Sequence, residues 1–455
     1  MNRLIKLMLL ILYLLINYNN IIAQDSTYTN PIGNFTLFGD VADPCVLKHD
    51  GQYYLYATSS ISHTYGFDAW QSDDLVTWQH KGIIFDCRIP GNGWGKANFW
   101  APEVMFYRNK FYLVYSARAD DDLLKIAVAS SDSPLGPFMN VSAPLLDENL
   151  ACIDGHFFVD DDGSVYLFYA KDCSNNIVNG YHMSQIFVQK LVANYLQPMG
   201  DPVLAIQPEQ YWECLSGDWR WNEGPYVIKH NDIYYLMFSA NYFASADYSM
   251  GYATATNPLG PWIKYEGNPV LAKNLDIGVS GPGHNSVTTS PDASELFIVY
   301  HAHIHPDNPN AGRTPNIDRI YFDSDGILKI IGPTRSPQPL PGSSDTKVQW
   351  HKESSLQNFR LDRVYPNPFN SQTVINYSIG PFPNFSSADS FVTLRILNIF
   401  GEEVKVLVQK NQYPGNYQVI WDGRNKYGAN VSAGLYICEM ASNMQVTTRK
   451  MTLLK

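Results

Sequence analysis

Tyr53-Tyr54-Leu55-Tyr56-Ala57 is an aromatic, apolar segment ending in a small residue, and it is the first of five similar segments in this chain. The later four begin at Phe111, Val165, Tyr234 and Leu296. Successive segments start 54 to 69 residues apart, with turn-forming Gly, Asn and Asp residues between them. Short strands of this kind, repeated at such a period, are typical of β-propellers, where each repeat forms one blade. We therefore predict an all-β fold containing a five-bladed β-propeller.

A polar residue precedes each repeated strand by a similar number of positions. The set is Asp43, Glu103, Asp154, Glu223 and His284, which lie 8 to 12 residues before their strands. Equivalent positions of successive blades surround one axis, so we expect these side chains to converge on a central site. Each acid taken alone is equally well explained as a turn or strand-end residue. Their shared spacing favours a common functional site.

Composition restricts the class of partner. The chain has 32 Lys and Arg against 43 Asp and Glu, a net charge of −11, with 16% charged and 14% aromatic residues. The negative balance argues against nucleic acid as a partner. Few charges and many aromatic residues indicate a folded protein rather than a disordered one. A neutral ligand is favoured.

Residues 1–23 have the features of a secretory signal peptide. Arg3 and Lys6 precede an apolar run from Leu7 to Ile16, and Ala23 is a small residue suited to cleavage. Ten apolar residues are few for a membrane span, so an N-terminal anchor is the weaker alternative. We expect no membrane-spanning segment in the mature chain and a secreted or cell-surface protein.

Changes in composition divide the remaining chain into three regions. The repeats predict a propeller domain over residues 30–335, and enrichment in Pro, Ser and Gln predicts a linker over 336–360. Alternating strands over 361–455 predict a small β-sandwich.

The last region carries several motifs in a fixed order. They are YPNPFN at 365–370, WDG at 421–423, SAGLY at 432–436 and the terminal KMTLLK. Together they resemble the type A sorting domain of the type IX secretion system. The resemblance implies recognition by the secretion machinery and export across the outer membrane. A carbohydrate-binding sandwich is the alternative, because sandwiches have many functions.

Three of the acids fit the chemistry of glycoside hydrolysis. That reaction needs a carboxylic acid to protonate the leaving oxygen and a carboxylate that acts on water or on the anomeric carbon. A third, negative neighbour raises the pKa of the proton donor and keeps it protonated near neutral pH. Asp43, Asp154 and Glu223 are the candidates for these roles.

Motifs around these acids resemble glycoside hydrolase family 43. They are DP followed by GxYYxYAT at 43–58, WAPEV at 100–104, IDGxxF at 153–158, NEGP at 222–225, GPGHNS at 281–286 and GRxxxIDRIxFDxDG at 312–326. The resemblance implies a five-bladed propeller that hydrolyses arabinose- or xylose-containing plant polysaccharide with inversion. An α-L-arabinofuranosidase is the favoured activity, and a β-xylosidase or an endo-arabinanase is the alternative. A non-catalytic carbohydrate-binding propeller is a hypothesis of a different class.

The resemblance also assigns catalytic roles. Asp43 matches the general base, Glu223 the general acid and Asp154 the residue that modulates and orients the acid. Inversion then requires the acid and base to lie roughly 6.5 to 9.5 Å apart, with a water between them. Glu103 shares the spacing, but the family has structural or substrate contacts near it, so we leave it out of the catalytic set.

Further residues match positions that contact the substrate. These are Trp100, Arg313 and His284, and the cation of Arg313 would also keep Asp43 ionised. The resemblance implies either a structural Ca²⁺ beside His284 or a histidine held on the axis by hydrogen bonds alone. Calcium prefers oxygen ligands, so one histidine is weak evidence for it. His301, His303 and His305 alternate on one strand and suggest a less favoured zinc site.

Overall fold

The computed structural model describes residues 27–146, 149, 151–192, 196–342, 359–379, 390–399, 402–412, 415–442 and 445–454. The chain divides into two units, Met1–Gly342 and Ser343–Lys455. Regular structure in the described residues consists of strands and four short 3₁₀ helices, which confirms the predicted all-β class. Among these residues, no helix has the length and apolar character needed to cross a membrane. The predicted signal peptide lies outside the described residues.

The first unit contains 25 strands. They are β1 (Thr27–Tyr28), β2 (Val41–His49), β3 (Gln52–Ser59), β4 (Gly66–Ser72), β5 (Gln79–Asp86), β6 (Ala97–Tyr107), β7 (Lys110–Arg118), β8 (Leu124–Ser131), β9 (Met139–Ser142), β10 (Cys152–Val159), β11 (Val165–Lys171), β12 (Ile177–Val178), β13 (Tyr181–Met183), β14 (Gln185–Val192), β15 (Gln197–Ile206), β16 (Trp219–Arg220), β17 (Asn222–His230), β18 (Ile233–Ala240), β19 (Ser249–Ala255), β20 (Ile263–Lys264), β21 (Gly283–Thr289), β22 (Leu296–His303), β23 (Arg313–Phe322), β24 (Leu328–Ile331) and β25 (Gln338–Pro339). The 3₁₀ helices are η1 (Phe35–Phe38), η2 (Tyr211–Glu213), η3 (Leu275–Ile277) and η4 (Pro309–Ala311).

Most of these strands form five antiparallel, four-stranded sheets, which we number one to five along the chain. The sheets are β2-β3-β4-β5, β6-β7-β8-β9, β10-β11-β14-β15, β17-β18-β19-β20 and β21-β22-β23-β24. The first strands of neighbouring sheets lie against each other, from β2 through β6, β10, β17 and β21. Because β21 also contacts β2, the first strands form a closed ring.

The repeated segments supply the apolar contacts between sheets. Side chains alternate along a strand, so one segment faces two neighbours. Tyr54 and Tyr56 pack in a cluster shared with the second sheet, whereas Tyr53, Leu55 and Ala57 pack in a cluster shared with the fifth sheet. Similar clusters lie between each other pair of neighbouring sheets. Burial on both faces explains why these strands are almost continuously apolar.

Two smaller sheets complete the first unit. β1 pairs with β25, so residues 338 and 339 of the expected linker form part of a sheet with Thr27–Tyr28. Residues 343–358 of that linker lie outside the described residues. The other sheet contains β12, β13 and β16, which come from connections within the third sheet and before the fourth.

The second unit contains two antiparallel sheets. Its strands are β26 (Phe359–Tyr365), β27 (Thr373–Ile379), β28 (Ser390–Leu397), β29 (Glu403–Gln412), β30 (Gly415–Trp421), β31 (Gly434–Ser442) and β32 (Gln445–Leu453). Their sheet orders are β26-β27-β30 and β29-β28-β31-β32. Side chains from both sheets share one apolar core around Trp421, which is the arrangement of a sandwich.

Candidate active site

Every first strand of the five sheets is interrupted by a β-bulge near its start. The pairing register shifts between Ala42 and Cys45, Trp100 and Glu103, Ile153 and His156, Glu223 and Tyr226, and Gly283 and Asn285. One residue in each bulge is left-handed, namely Asp43, Ala101, Asp154, Gly224 and His284, with φ between 47° and 57°. A bulge bends the strand and redirects a side chain. Three of the five left-handed residues are candidate site residues.

Hydrogen bonds between sheets hold these bulges in place. Four left-handed residues donate their backbone N–H to a side chain of the preceding sheet in the ring: Ala101 to Thr58 Oγ1 (2.8 Å), Asp154 to Ser116 Oγ (3.0 Å), His284 to Ser239 Oγ (2.7 Å) and Asp43 to His301 Nδ1 (3.1 Å). The third sheet has Ala170 at the equivalent position, opposite Ile153. There the carboxylate of Asp154 accepts the N–H of Gly224 instead, at 3.0 Å. The residue near the end of each repeated strand therefore links neighbouring sheets.

Asp43 lies among groups that stabilise its ionised form. Thr58 Oγ1 donates to its Oδ2 at 2.7 Å, and Arg313 Nη1 donates to its Oδ1 at 3.2 Å. Burial alone raises the pKa of Asp43, but Arg313, with a further contribution from His284, lowers it well below its usual range. Asp40 accepts bonds from Arg313 Nε at 3.1 Å and Nη2 at 2.9 Å, which fixes the guanidinium. Asp43 is therefore suited to act as a base.

Glu223 has the opposite electrostatic environment. Burial, reinforced by the negative charge of Asp154, raises the pKa of Glu223 well above its usual range. Tyr248 donates its hydroxyl to Glu223 Oε1 at 2.9 Å and fixes the orientation of the carboxyl group. Burial raises the pKa of Asp154 itself to about 6, and the charge of Asp43 adds to that increase. Because Asp154 accepts the N–H of Gly224, it also orients the backbone next to Glu223.

His284 lies between two of the acids. Its Nδ1 is 3.4 Å from Asp43 Oδ1 and 4.0 Å from Asp154 Oδ2. The three acids, His284 and Arg313 line one cavity of about 640 Å³. Four predicted blade positions thus contribute to a single pocket, which has the dimensions of a small-molecule site.

Glu103 was wrongly expected to join the central site. The bulge adds residues before it, and Ala101, not Glu103, is the residue equivalent to Asp43. Glu103 instead accepts a 2.7 Å bond from His156 Nδ1, while His156 Nε2 accepts the N–H of Val227. This pair fastens the second, third and fourth sheets together.

The histidines considered for zinc have other partners. Both ring nitrogens of His303 are used, one with Ser280 Oγ at 3.0 Å and one with the carbonyl of Phe243 at 2.8 Å. His301 Nδ1 accepts the N–H of Asp43, and burial lowers the pKa of His301 to about 4, so it is neutral. The described part of the chain contains no group of three or more His, Cys, Asp or Glu placed to hold a metal ion.

Aromatic residues near the acids fall into two groups. Phe99 is fully buried and Trp212 packs on the core residue Phe238. Trp100 is partly buried, lines the cavity and is positioned as one of its walls, as expected. Trp221, Tyr242 and Phe243 also line the cavity.

Sequence reasoning missed Asp40, Thr58 and Tyr248. Tyr248 precedes a strand without any motif, and only the folded chain brings it to Glu223. Asp40 lies three residues before Asp43, and a charged residue next to the DP motif was the available signal. Thr58 belongs to the first repeat, where comparison with Ser116 and Ser239 would have revealed a repeated hydroxyl.

Comparison with known proteins agrees with this geometry. Residues 28–328 match the family described as glycosyl hydrolases family 43, and residues 380–445 match the FlgD Ig-like domain. The β-D-galactofuranosidase xynD of Aspergillus niger is 32% identical over 69% of this chain and 89% of its own length. The extracellular exo-α-(1→5)-L-arabinofuranosidase of Streptomyces avermitilis is 28% identical over 66% of this chain and 62% of its own.

A solved structure of similar sequence extends the match to the fold. The crystal structure of a thermostable family-43 glycoside hydrolase is 60% identical, with a TM-score of 0.67, over 70% of this chain and 100% of that one. The matching part contains the cavity with its three acids. The chain belongs to glycoside hydrolase family 43.

Proposed function

We propose that the protein hydrolyses arabinose- or xylose-containing plant polysaccharide with inversion, acting as an α-L-arabinofuranosidase. The carrying observation is the pair of acids, Asp43 and Glu223, in one cavity with pKa values shifted in opposite directions. Acid and base assignments follow from such a separation of pKa values. An arabinofuranosidase among the relatives supports the choice of sugar. β-Xylosidase and endo-arabinanase activities are the alternatives on the same site.

We propose that the five sheets are the blades of a five-bladed propeller. The closed ring of first strands and the apolar cluster between each pair of neighbours support this architecture. In such a ring, one bulge per blade brings a side chain to the same level at the centre. The catalytic acids then come from the first, third and fourth blades.

The proposed mechanism uses the two pKa shifts directly. Asp43, kept ionised by Arg313, removes a proton from a water molecule that attacks the anomeric carbon. Glu223, kept protonated by burial and by Asp154, donates its proton to the leaving oxygen. One water is consumed, the glycosidic bond breaks, and the sugar is released with inverted configuration. Asp154 and Tyr248 hold Glu223 in position, and Trp100 forms a wall beside the sugar.

We propose that His284 acts by charge and hydrogen bonding. Calcium takes six to eight oxygen ligands, whereas His284 offers nitrogen and its carboxylate neighbours are engaged by Arg313, Thr58 and Gly224. These residues do not fit a directly coordinated calcium ion. We expect a chelator to leave activity and melting temperature unchanged. Loss of activity in chelator, restored by calcium alone, would contradict this assignment.

We propose that the protein is exported and reaches the cell surface or the medium. The apolar N-terminal segment and the sorting motifs of the last region support this route, with the secretion machinery as the partner of residues 361–455. Fractionation of cells producing the full chain, with and without residues 361–455, tests it. Equal export of both forms would argue against a sorting role and favour a carbohydrate-binding sandwich.

Paired measurements of turnover and binding test the hydrolase proposal. The protein is incubated with arabinan, arabinoxylan, xylo-oligosaccharides and galactan, and the released sugar is identified. Glu223→Gln should abolish turnover while substrate still binds, whereas Glu266→Gln, which changes an exposed acid, should leave both unchanged. A Glu223→Gln variant with full turnover, or a wild type that binds but cleaves nothing, would favour the carbohydrate-binding alternative.

A further inference from the structure

A series of aromatic rings extends from the catalytic cavity to the protein surface. Neighbouring ring centroids are 4.8 Å apart for Phe243 and Tyr242, 5.6 Å for Tyr242 and Trp221, 6.1 Å for Trp221 and Trp219, and 3.9 Å for Trp219 and His182. We call these five rings the aromatic ladder. The first three line the cavity, and the last two lie beyond its lining.

The inner end of the aromatic ladder meets the catalytic groups. The guanidinium carbon of Arg313 lies 4.8 Å from the centre of the Phe243 ring, in a cation–π contact. The same guanidinium bonds Asp43. The aromatic surface is therefore continuous with the place where the glycosidic bond is cleaved.

The outer end is held by a sheet that is not one of the five. His182 in β13 pairs directly with Trp219 in β16, so backbone pairing sets the two rings side by side. Their planes differ by 10°. His182 Nδ1 donates to the carbonyl of Cys173 at 3.0 Å, and Arg220 stacks on Tyr181 at 3.5 Å. Two connections of the chain thus build a fixed support for Trp219.

The ladder is exposed, although its rings are large and apolar. Trp219 keeps 41% of its surface accessible, Tyr242 44% and Phe243 40%. Aromatic faces stack well on the apolar faces of sugar rings. A rigid, uncharged surface leading out of a glycosidase cavity fits a neutral sugar chain, and the net charge of −11 disfavours a polyanionic one.

We propose that the aromatic ladder binds the polysaccharide chain that carries the sugar being cleaved, with Trp219 as its outer contact. This inference rests on the proposed function, because it places the polymer on the leaving-group side of the same cavity. It predicts that the enzyme prefers polymeric over small substrates, and that this preference depends on Trp219. Trp219 is a binding residue here and takes no part in the bond cleavage.

The test compares a polymer with a small chromogenic substrate. Trp219→Ala should raise KM for arabinoxylan or arabinan by about tenfold, the effect of one lost stacking contact. Its kcat/KM for a nitrophenyl arabinofuranoside should stay within about twofold of wild type, because that substrate does not reach Trp219. His182→Ala, which removes only the support, should give a smaller change in the same direction. Tyr211→Ala is the matched control, since Tyr211 is an aromatic residue with 88% exposure outside the ladder.

A binding measurement separates this inference from the hydrolase proposal. In affinity electrophoresis, Glu223→Gln should be retarded by the soluble polysaccharide, and Glu223→Gln with Trp219→Ala should migrate faster. That result would support the ladder even if the wild type released no sugar. Equal KM effects of Trp219→Ala on both substrates, no effect on either, or the same effect from Tyr211→Ala would overturn the proposal. Circular dichroism and melting temperature establish that each variant is folded.

Discussion

Replacing Lys264 by methionine should destabilise the first unit strongly. The ammonium group donates to Glu213 Oε1, to the carbonyl of Gln207 and to Asn222 Oδ1, the last at 2.9 Å. The side chains of Lys264 and Glu213 are 4% and 0% exposed. Burial lowers the pKa of Lys264, and Glu213 opposes that change. The pair fixes the connection before β17, whose first residue, Asn222, precedes Glu223.

The magnitude follows from the charge that the substitution leaves behind. Methionine fills much of the lysine volume but leaves Glu213 buried without its cation. Removing one member of a buried ion pair costs about 3–5 kcal/mol. For a unit of roughly 300 residues, that loss lowers the melting temperature by about 5–8 °C. Lys264→Met with Glu213→Gln removes both charges, so it should recover part of the loss.

Calorimetry of the full chain measures these effects. Lys110→Met is the control, because Lys110 and Asp132 form an exposed pair with side chains 48% and 85% accessible; no measurable change is expected there. The reasoning would be refuted if Lys264→Met shifted the transition no more than Lys110→Met. It would also be refuted if the double variant were less stable than Lys264→Met.

Three further predictions concern the pH profile and the links between sheets. Asp43 must be ionised, so Arg313→Gln, which raises its pKa, should move the acidic limb of the kcat/KM profile to higher pH; an unmoved limb would contradict the role of Arg313. Glu223 must be protonated, and Asp154→Asn removes a charge that raises its pKa; the alkaline limb should therefore move to lower pH, and a shift to higher pH would count against the acid assignment. Ser116→Ala leaves the buried N–H of Asp154 without its acceptor, so urea unfolding should show a loss of about 1–3 kcal/mol, and unchanged stability would show that the link is dispensable.

The sequence contained most of the site because each acid belongs to a repeat. Asp43, Asp154, Glu223 and His284 meet in one cavity, as their spacing predicted. The spacing failed for Glu103, since a bulge of two residues separates positions that look equivalent when counted along the chain. A count from the strand cannot detect such an insertion.

Contacts between distant segments were beyond prediction from one sequence. Tyr248 reaches Glu223 and Asp40 holds Arg313 only after the ring closes. The serine, threonine or histidine at the end of four repeats was visible in the sequence. Its role as a hydrogen-bond acceptor for the neighbouring bulge was not, because that role depends on how adjacent sheets are aligned. The ladder required the pairing of β13 with β16, which no local pattern indicates.

Proton NMR of the first sugar released tests the central claim most directly. If Asp43 activates water and Glu223 protonates the leaving oxygen, the new reducing end appears first with the configuration opposite to that of the substrate. The anomer of the original configuration then grows only as fast as free sugar mutarotates. Initial release of the retained anomer would show attack by a protein nucleophile and contradict the assignment of Asp43 as a base.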